Sequence, residues 1–127
     1  MSPRTYELTV QRHFSAAHAL RCYDGPCSRI HGHNYQVDVC VARNELDDLG
    51  MVIDFGDLKR VCDEVIDRLD HRMLNELDAF TELNATSERI AEHIYREVAQ
   101  RLEGTGVGLR HVRVWETPTS AATYRET

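Results

Sequence analysis

The sequence predicts an α+β domain, ordered ββααββ, with two helices covering one face of an antiparallel sheet. Three observations predict it. Two early stretches alternate apolar and polar residues, the period of a half-buried strand. Two later stretches repeat apolar residues every three or four positions, the period of a helix. A last alternating stretch runs into turn residues and a short return. At 127 residues the chain reads as one domain, residues 1–127, long enough to bury a core without disulfides.

From Tyr6 to His18 the even positions carry Tyr, Leu, Val, Arg, Phe, Ala and His, while the odd positions 7 to 15 are Glu, Thr, Gln, His and Ser. This is a strand with one buried face, and His18 falls on the parity of Phe14 and Ala16. A second strand is expected from His31 to about Ala42, with Tyr35, Val37, Val39 and Val41 on the parity of His31 and His33. Residues 44–51 read as a charged turn. Asp54 then caps a helix whose Leu58, Val61, Cys62, Val65, Ile66 and Leu69 form one apolar face, and Asp57 suits the positive end of its dipole. Residues 75–86 read as a loop, with Asn84 or Thr86 capping a second helix striped by Ile90, Ile94, Val98 and Leu102. Gly104, Gly106 and Gly108 end it. A third strand is expected over about Leu109–Glu116 and a fourth over Ala121–Arg125, joined by Thr117-Pro118-Thr119-Ser120. Four strands leave open sheet edges, and pairing them with neighbouring subunits predicts an oligomer.

Composition excludes several roles. No apolar run approaches the ~20 residues of a membrane helix, and the N-terminus lacks a signal-peptide pattern, so a cytoplasmic protein is expected. The cysteines Cys22, Cys27, Cys40 and Cys62 are then expected as thiols, with Cys40 and Cys62 as small core residues. A net charge of −6 argues against a general nucleic-acid or anionic-membrane surface, while leaving room for a small anionic ligand at a local cationic spot.

The chemistry concentrates in Cys27-Ser28-Arg29-Ile30-His31-Gly32-His33-Asn34-Tyr35. On a strand His31 and His33 point the same way, and imidazoles suit zinc, copper, iron or nickel. A catalytic zinc site takes three protein ligands and keeps one position open; parity makes His18 the third. A lone histidine on an apolar face is ordinarily a hydrogen-bonded core residue, but three converging on paired strands fit a metal better, and zinc is the usual occupant. His13, His93 and His111 read as surface, neighbouring or core residues. Asp70 ends the first helix at the negative end of its dipole, where a carboxylate is unfavourable, and His71 follows it directly. An Asp beside a His can orient the ring for proton transfer; a solvated Asp before a helix-ending His is the plain alternative.

In order, Phe14-Ser15-Ala16-Ala17-His18, Cys27-x3-His31-Gly32-His33-Asn34-Tyr35, Val52-Ile53-Asp54-Phe55, Leu69-Asp70-His71-x2-Leu74-Asn75, Thr86-Ser87-Glu88 and Trp115-Glu116-Thr117 resemble the 6-pyruvoyl-tetrahydropterin synthase family over the whole chain. The resemblance implies the tunnelling fold (T-fold), in which three subunits close a barrel and two trimers stack as a homohexamer. It implies zinc on His18, His31 and His33, a catalytic set of Cys27, Asp70 and His71, and Glu116 as the anchor of a pterin ring. Thr86, Ser87 and Arg29 are expected to contact substrate. The three residues between Cys27 and His31 resemble the family's carboxy-forming branch; the pyruvoyl enzymes typically carry a longer insertion. The implied substrate is a small molecule, 7,8-dihydroneopterin triphosphate, and the implied reaction is that of a zinc-dependent lyase. Arg12, Arg29, Arg72 and Lys59 are candidates for its triphosphate, unranked. Where the family usually reads Asn-Pro-Thr, this chain has Asn84-Ala85-Thr86, which is expected to relax that loop. Two other readings stand beside this one: a closed structural zinc site with Cys27 as fourth ligand, and a pterin-binding module without catalysis.

Overall fold

The structure, a computed structural model, describes residues 4–21, 25 and 28–126. Five strands and two helices run in the order β1 (Tyr6–His18), β2 (His31–Arg43), α1 (Phe55–Ile66), β3 (Arg72–Met73), α2 (Ser87–Arg101), β4 (Gly108–Thr117) and β5 (Ser120–Tyr124). The sheet order is β3-β1-β2-β4-β5. Beyond the four expected strands, β3 is a two-residue rung lying parallel to β1, Arg72 against Ala16 and Met73 against Ala17. Two residues carry no period, so no sequence pattern could announce it. Its cause is tertiary. The His71 N–H donates to the Ser15 carbonyl and the Ser15 N–H donates to Asp70, which together draw the chain leaving α1 onto the β1 edge. The expected loop 75–86 contains two short 3₁₀ turns, Leu74–Glu76 and Asp78–Phe80.

Both helices begin where a short polar side chain takes an unpaired N–H: Asp54 accepts from Asp57 N and Thr86 accepts from Arg89 N. α2 gives way to β4 through Gly104 and Gly106, both at positive φ. α1 lies against β1 and α2, and α2 spans β4 and β5. The core lies between helices and sheet. Leu58, Cys62, Val65 and Ile66 from α1, with Ile90, Ile94 and Val98 from α2, pack on Phe14, Tyr35, Val37, Val39, Val112 and Val114. Fully burying one such side chain contributes about 1.5–3 kcal/mol. The Cys62 thiol, deep in this core, is pushed up to about 12 by burial, with Asp63 adding to the shift, and behaves as a small apolar group.

Antiparallel register positions the site. Val10 faces Val39, Phe14 faces Tyr35, Ala16 faces His33 and His18 faces His31. The apolar face of this two-strand ladder therefore ends in histidines. No helix among the described residues is long and apolar enough to cross a membrane.

Candidate active site

His18, His31 and His33 converge as parity predicts, with one ligand atom from each lying within 4.8 Å of the others. Their ring centroids are 4.5 Å (His18–His31), 5.4 Å (His18–His33) and 5.0 Å (His31–His33) apart. Two of the rings are oriented by backbone carbonyls: His18 Nδ1 lies 2.7 Å from the Ala85 oxygen and His31 Nδ1 lies 2.8 Å from the Arg29 oxygen. A carbonyl only accepts, so each Nδ1 carries the proton and each Nε2 keeps its lone pair, the arrangement metal-ligating histidines adopt. Arg29 thus contributes to the site through its backbone, while its side chain is exposed.

Whether the set fits a metal can be tested on the atoms themselves. His18 Nε2 and His33 Nε2 are buried with no hydrogen-bond partner among the described residues. An orphaned buried polar atom costs about 1–3 kcal/mol, and two on neighbouring imidazoles point to a shared ligand. Burial, together with the neighbouring His31 and His33, also lowers the His18 pKa against the opposing pull of the Ala85 carbonyl and Glu116. That favours the neutral ring, the only form that ligates. Three imidazoles and no fixed fourth donor among the described residues fit an open site.

Glu116, at the end of the apolar stripe of β4, stands beside the triad with Oε1 3.4 Å from His33 Nε2. Its other oxygen accepts from the Ser87 hydroxyl at 3.1 Å, while Thr86 is engaged as the α2 cap. The four residues Asn84–Ser87 therefore have four separate attachments. Asn84 Oδ1 accepts from Arg21 N at 2.8 Å and its Nδ2 donates to Arg21 O at 3.1 Å; the Ala85 carbonyl holds His18; Thr86 caps the helix; Ser87 holds Glu116. The Arg21 guanidinium in turn donates to the carbonyls of Phe80 and Asn75, at 2.9 and 3.2 Å. The slack expected from the missing proline is not found: side-chain-to-backbone hydrogen bonds pin the segment, and Ala85 is fully buried.

Asp70 and His71 stand at the β1 edge. Asp70 Oδ1 accepts from Ser15 N at 2.9 Å and lies 3.0 Å from His71 Nδ1. The Ser15 N–H, with the His71 ring second, holds the Asp70 carboxyl below its ordinary pKa. The expectation that Asp70 ends the helix is corrected: α1 stops at Ile66 with Asp67 as its cap, so Asp70 lies in the turn beyond, and its partner is a strand N–H. His71 has φ of +58°, and among the described residues it is the one non-glycine on that side. The Ser15 contacts on either side of it hold that conformation. The His71 side chain is 81% exposed, whereas His18 is buried. His71 nonetheless opens onto the same cavity as His33, about 500 Å³, whose wall includes Ser15, Gly32, Asn34 and Arg72.

A model of 6-pyruvoyl tetrahydropterin synthase matches residues 7–127. The chain belongs to the 6-pyruvoyl tetrahydropterin synthase family. It is 38% identical over 130 residues to the 6-carboxy-5,6,7,8-tetrahydropterin synthase of Bacillus subtilis, covering 97% of this chain and 87% of that one. It is 43% identical over 117 residues to the protein of the same name from Synechocystis, covering 87% and 86%. Among solved structures the Caenorhabditis elegans 6-pyruvoyl tetrahydropterin synthase superposes with a TM-score of 0.87 at 30% identity, over 98% of this chain and 97% of that one. The 6-pyruvoyl tetrahydropterin synthase fold of that neighbour is the T-fold anticipated above.

Cys27 lies outside the described residues. The other nine residues expected at the site are described. Seven of them have side chains held in or beside the triad or at the Asp70–His71 edge; the Arg29 side chain is exposed and the Thr86 side chain is engaged as the α2 cap. Reasoning from sequence missed Arg21, Asn75 and the Ala85 carbonyl. Arg21 and Asn75 fall outside any periodic pattern, and a carbonyl has no signature at all. Tyr35 was assigned to the core for its ring, yet its buried hydroxyl has no partner among the described residues. Burial, reinforced by Glu116, pushes its pKa well above the ordinary phenol value.

Proposed function

We propose that the chain is a zinc-dependent 6-carboxy-5,6,7,8-tetrahydropterin synthase, a lyase converting 7,8-dihydroneopterin triphosphate and water to 6-carboxy-5,6,7,8-tetrahydropterin, acetaldehyde and triphosphate in queuosine biosynthesis. The observation that carries it is the triad of imidazoles, His18 buried and His31 and His33 half-buried, with unpartnered Nε2 atoms on His18 and His33, and with His33 sharing a cavity with His71. Relatives bearing that enzyme name over most of their length support the same reading.

His18, His31 and His33 would hold the zinc, which supplies a Lewis acid for the hydroxyls of the substrate side chain. Every other role belongs to the chain. Cys27, as thiolate, removes a proton from the activated side chain; a free thiol is barely ionised at neutral pH, so it depends on a cationic setting. Asp70 accepts the Nδ1 proton of His71 and so turns the far ring nitrogen toward the cavity, where His71 takes and returns protons as the carbon–oxygen and carbon–carbon bonds break. Glu116 accepts from the ring N–H and amino group of the pterin, with Ser87 fixing one of its oxygens. Thr86, at the cap of α2, lies one residue from that contact. The exposure of His71, against the burial of His18, suits a site completed by a neighbouring subunit. The sheet ends on one side in the two-residue β3, which leaves most of β1 unpaired, and on the other in β5; these edges supply the means of assembly, as a trimer closing a barrel and pairing into a hexamer. The setting is cytoplasmic.

The likeness to the Caenorhabditis elegans enzyme keeps a second reading in view, triphosphate elimination to a pyruvoyl product. Incubating zinc-loaded protein with 7,8-dihydroneopterin triphosphate separates them. Acetaldehyde together with a carboxy-pterin by mass is the expected result; triphosphate release without acetaldehyde would move the chain to the pyruvoyl reaction.

A further inference from the structure

We propose that Arg72 is the residue that binds the triphosphate of the substrate, in the cavity that it shares with His33 and His71. The assignment rests on the pterin triphosphate reading of the site, and it ranks four cations that the sequence leaves level. Arg12 is committed elsewhere, its Nε and Nη2 donating to the two oxygens of Asp63 at 2.8 and 2.9 Å. Lys59 is exposed on α1 and Arg29 is exposed before β2; neither lines the cavity. Arg72 lines it.

The cavity itself has the character of an anion site. The chain carries 21 acidic against 15 basic residues, yet no Asp or Glu is among the described residues lining this wall. Asp70, directly behind, has its Oδ1 taken by the Ser15 N–H and His71. Elsewhere about half of the described arginines are paired with carboxylates, as in Arg60–Asp57, Arg96–Glu92, Arg101–Glu64 and Arg110–Glu7. Arg72 has no such partner among the described residues. A guanidinium left unpaired in a chain of net charge −6, on a wall without carboxylates, is a place where a polyphosphate can approach.

Backbone placement makes the position firm. Asp70, His71 and Arg72 are three consecutive residues fastened to two consecutive residues of β1: Asp70 to Ser15 N, His71 to Ser15 O and Arg72 to Ala16. The proton-handling ring and the guanidinium therefore stand side by side on one rigid rung. When triphosphate departs, negative charge grows on its oxygens next to the residue that delivers the proton, and a planar fork of N–H donors meets two of those oxygens at once.

The test compares two ligands that differ only in phosphate, 7,8-dihydroneopterin triphosphate and 7,8-dihydroneopterin. Both are titrated into zinc-loaded protein in a Cys27→Ala background that stops turnover. The triphosphate form should bind more tightly. Arg72→Gln should shrink that advantage about ten- to hundredfold while leaving 7,8-dihydroneopterin unmoved, and Arg72→Lys should restore part of it as charge without the fork. An unchanged advantage in Arg72→Gln overturns the proposal, and so does an equal loss for both ligands, which would mark Arg72 as structural. Turnover by the unmutated protein is read separately. If it is absent while Arg72→Gln still loses the phosphate advantage, the anion site stands and the lyase reading falls.

Discussion

Asn84→Ala tests how the site is held without touching metal or substrate. Removing the side chain strands the N–H and the carbonyl of Arg21, bonded now at 2.8 and 3.1 Å. At about 0.5–1.5 kcal/mol for each lost hydrogen bond, the metal-free protein should lose about 1–3 kcal/mol. A domain of this size has about 5–15 kcal/mol to lose, so the variant folds. At about 4 °C per kcal/mol its melting temperature should drop by about 4–12 °C. The Ala85 carbonyl, 2.7 Å from His18 Nδ1, then loses the brace on its N-terminal side. Zinc should bind about 10–100-fold more weakly, the range typical of lost support behind a metal ligand. The assay is a zinc competition titration against a chromophoric chelator, beside thermal melts of the metal-free protein. Ile94→Ala serves as control, because Ile94 is fully buried in α2 and costs about 2–5 kcal/mol when truncated. Unchanged zinc affinity in Asn84→Ala would refute the reasoning. So would an equal loss of affinity in Ile94→Ala, since the effect would then follow stability rather than the Ala85 brace.

Cys27→Ala should retain zinc and fold and lose turnover, measured by metal analysis and product assay; loss of zinc with unfolding would favour the closed structural site. Tyr35→Phe removes a buried hydroxyl without a partner among the described residues, so denaturant melts of the metal-free protein should show about 1–3 kcal/mol of added stability, and a loss would mean that the hydroxyl is paired. Burial lowers the pKa of His18, His93 and His111 below the ordinary 6.5. The unfolded chain then takes up protons first as pH falls, so the metal-free protein should be most stable above pH 6.5 and weaken below it. Equal denaturation midpoints at high and low pH across that value would contradict this. The depressed Asp70 carboxyl acts in the same direction further down, its contribution present above the ordinary 3.8 and lost as pH falls through its folded value.

What the sequence disclosed and what it hid follow from the range of each interaction. Strand parity is local, so β1 and the shared face of His18, His31 and His33 could be read residue by residue. Helix starts are local too: Asp54 caps α1 as anticipated, and of the two candidates Asn84 and Thr86 it is Thr86 that caps α2. Asp70 could be judged only against the helical pattern before it, which suggested a helix end four residues beyond the true one at Ile66; the Ser15 N–H that holds it lies 55 residues away. The same distance hid β3, which follows from that tether. The absent proline at Ala85 suggested slack because backbone stiffness is visible in a sequence, whereas the bracing by Asn84 and Arg21 spans 63 residues. Cations are visible as letters, but their availability is not: Arg12 and Arg72 look alike until Asp63 is seen to occupy one of them.

The most direct test of the account is X-ray absorption at the zinc edge of the loaded protein. Three imidazoles with an open fourth position predict a shell of nitrogen and oxygen scatterers at about 2.0–2.1 Å and no sulfur. A sulfur scatterer at about 2.3 Å would place Cys27 or another thiol on the metal, closing the tetrahedron and contradicting a site open to substrate.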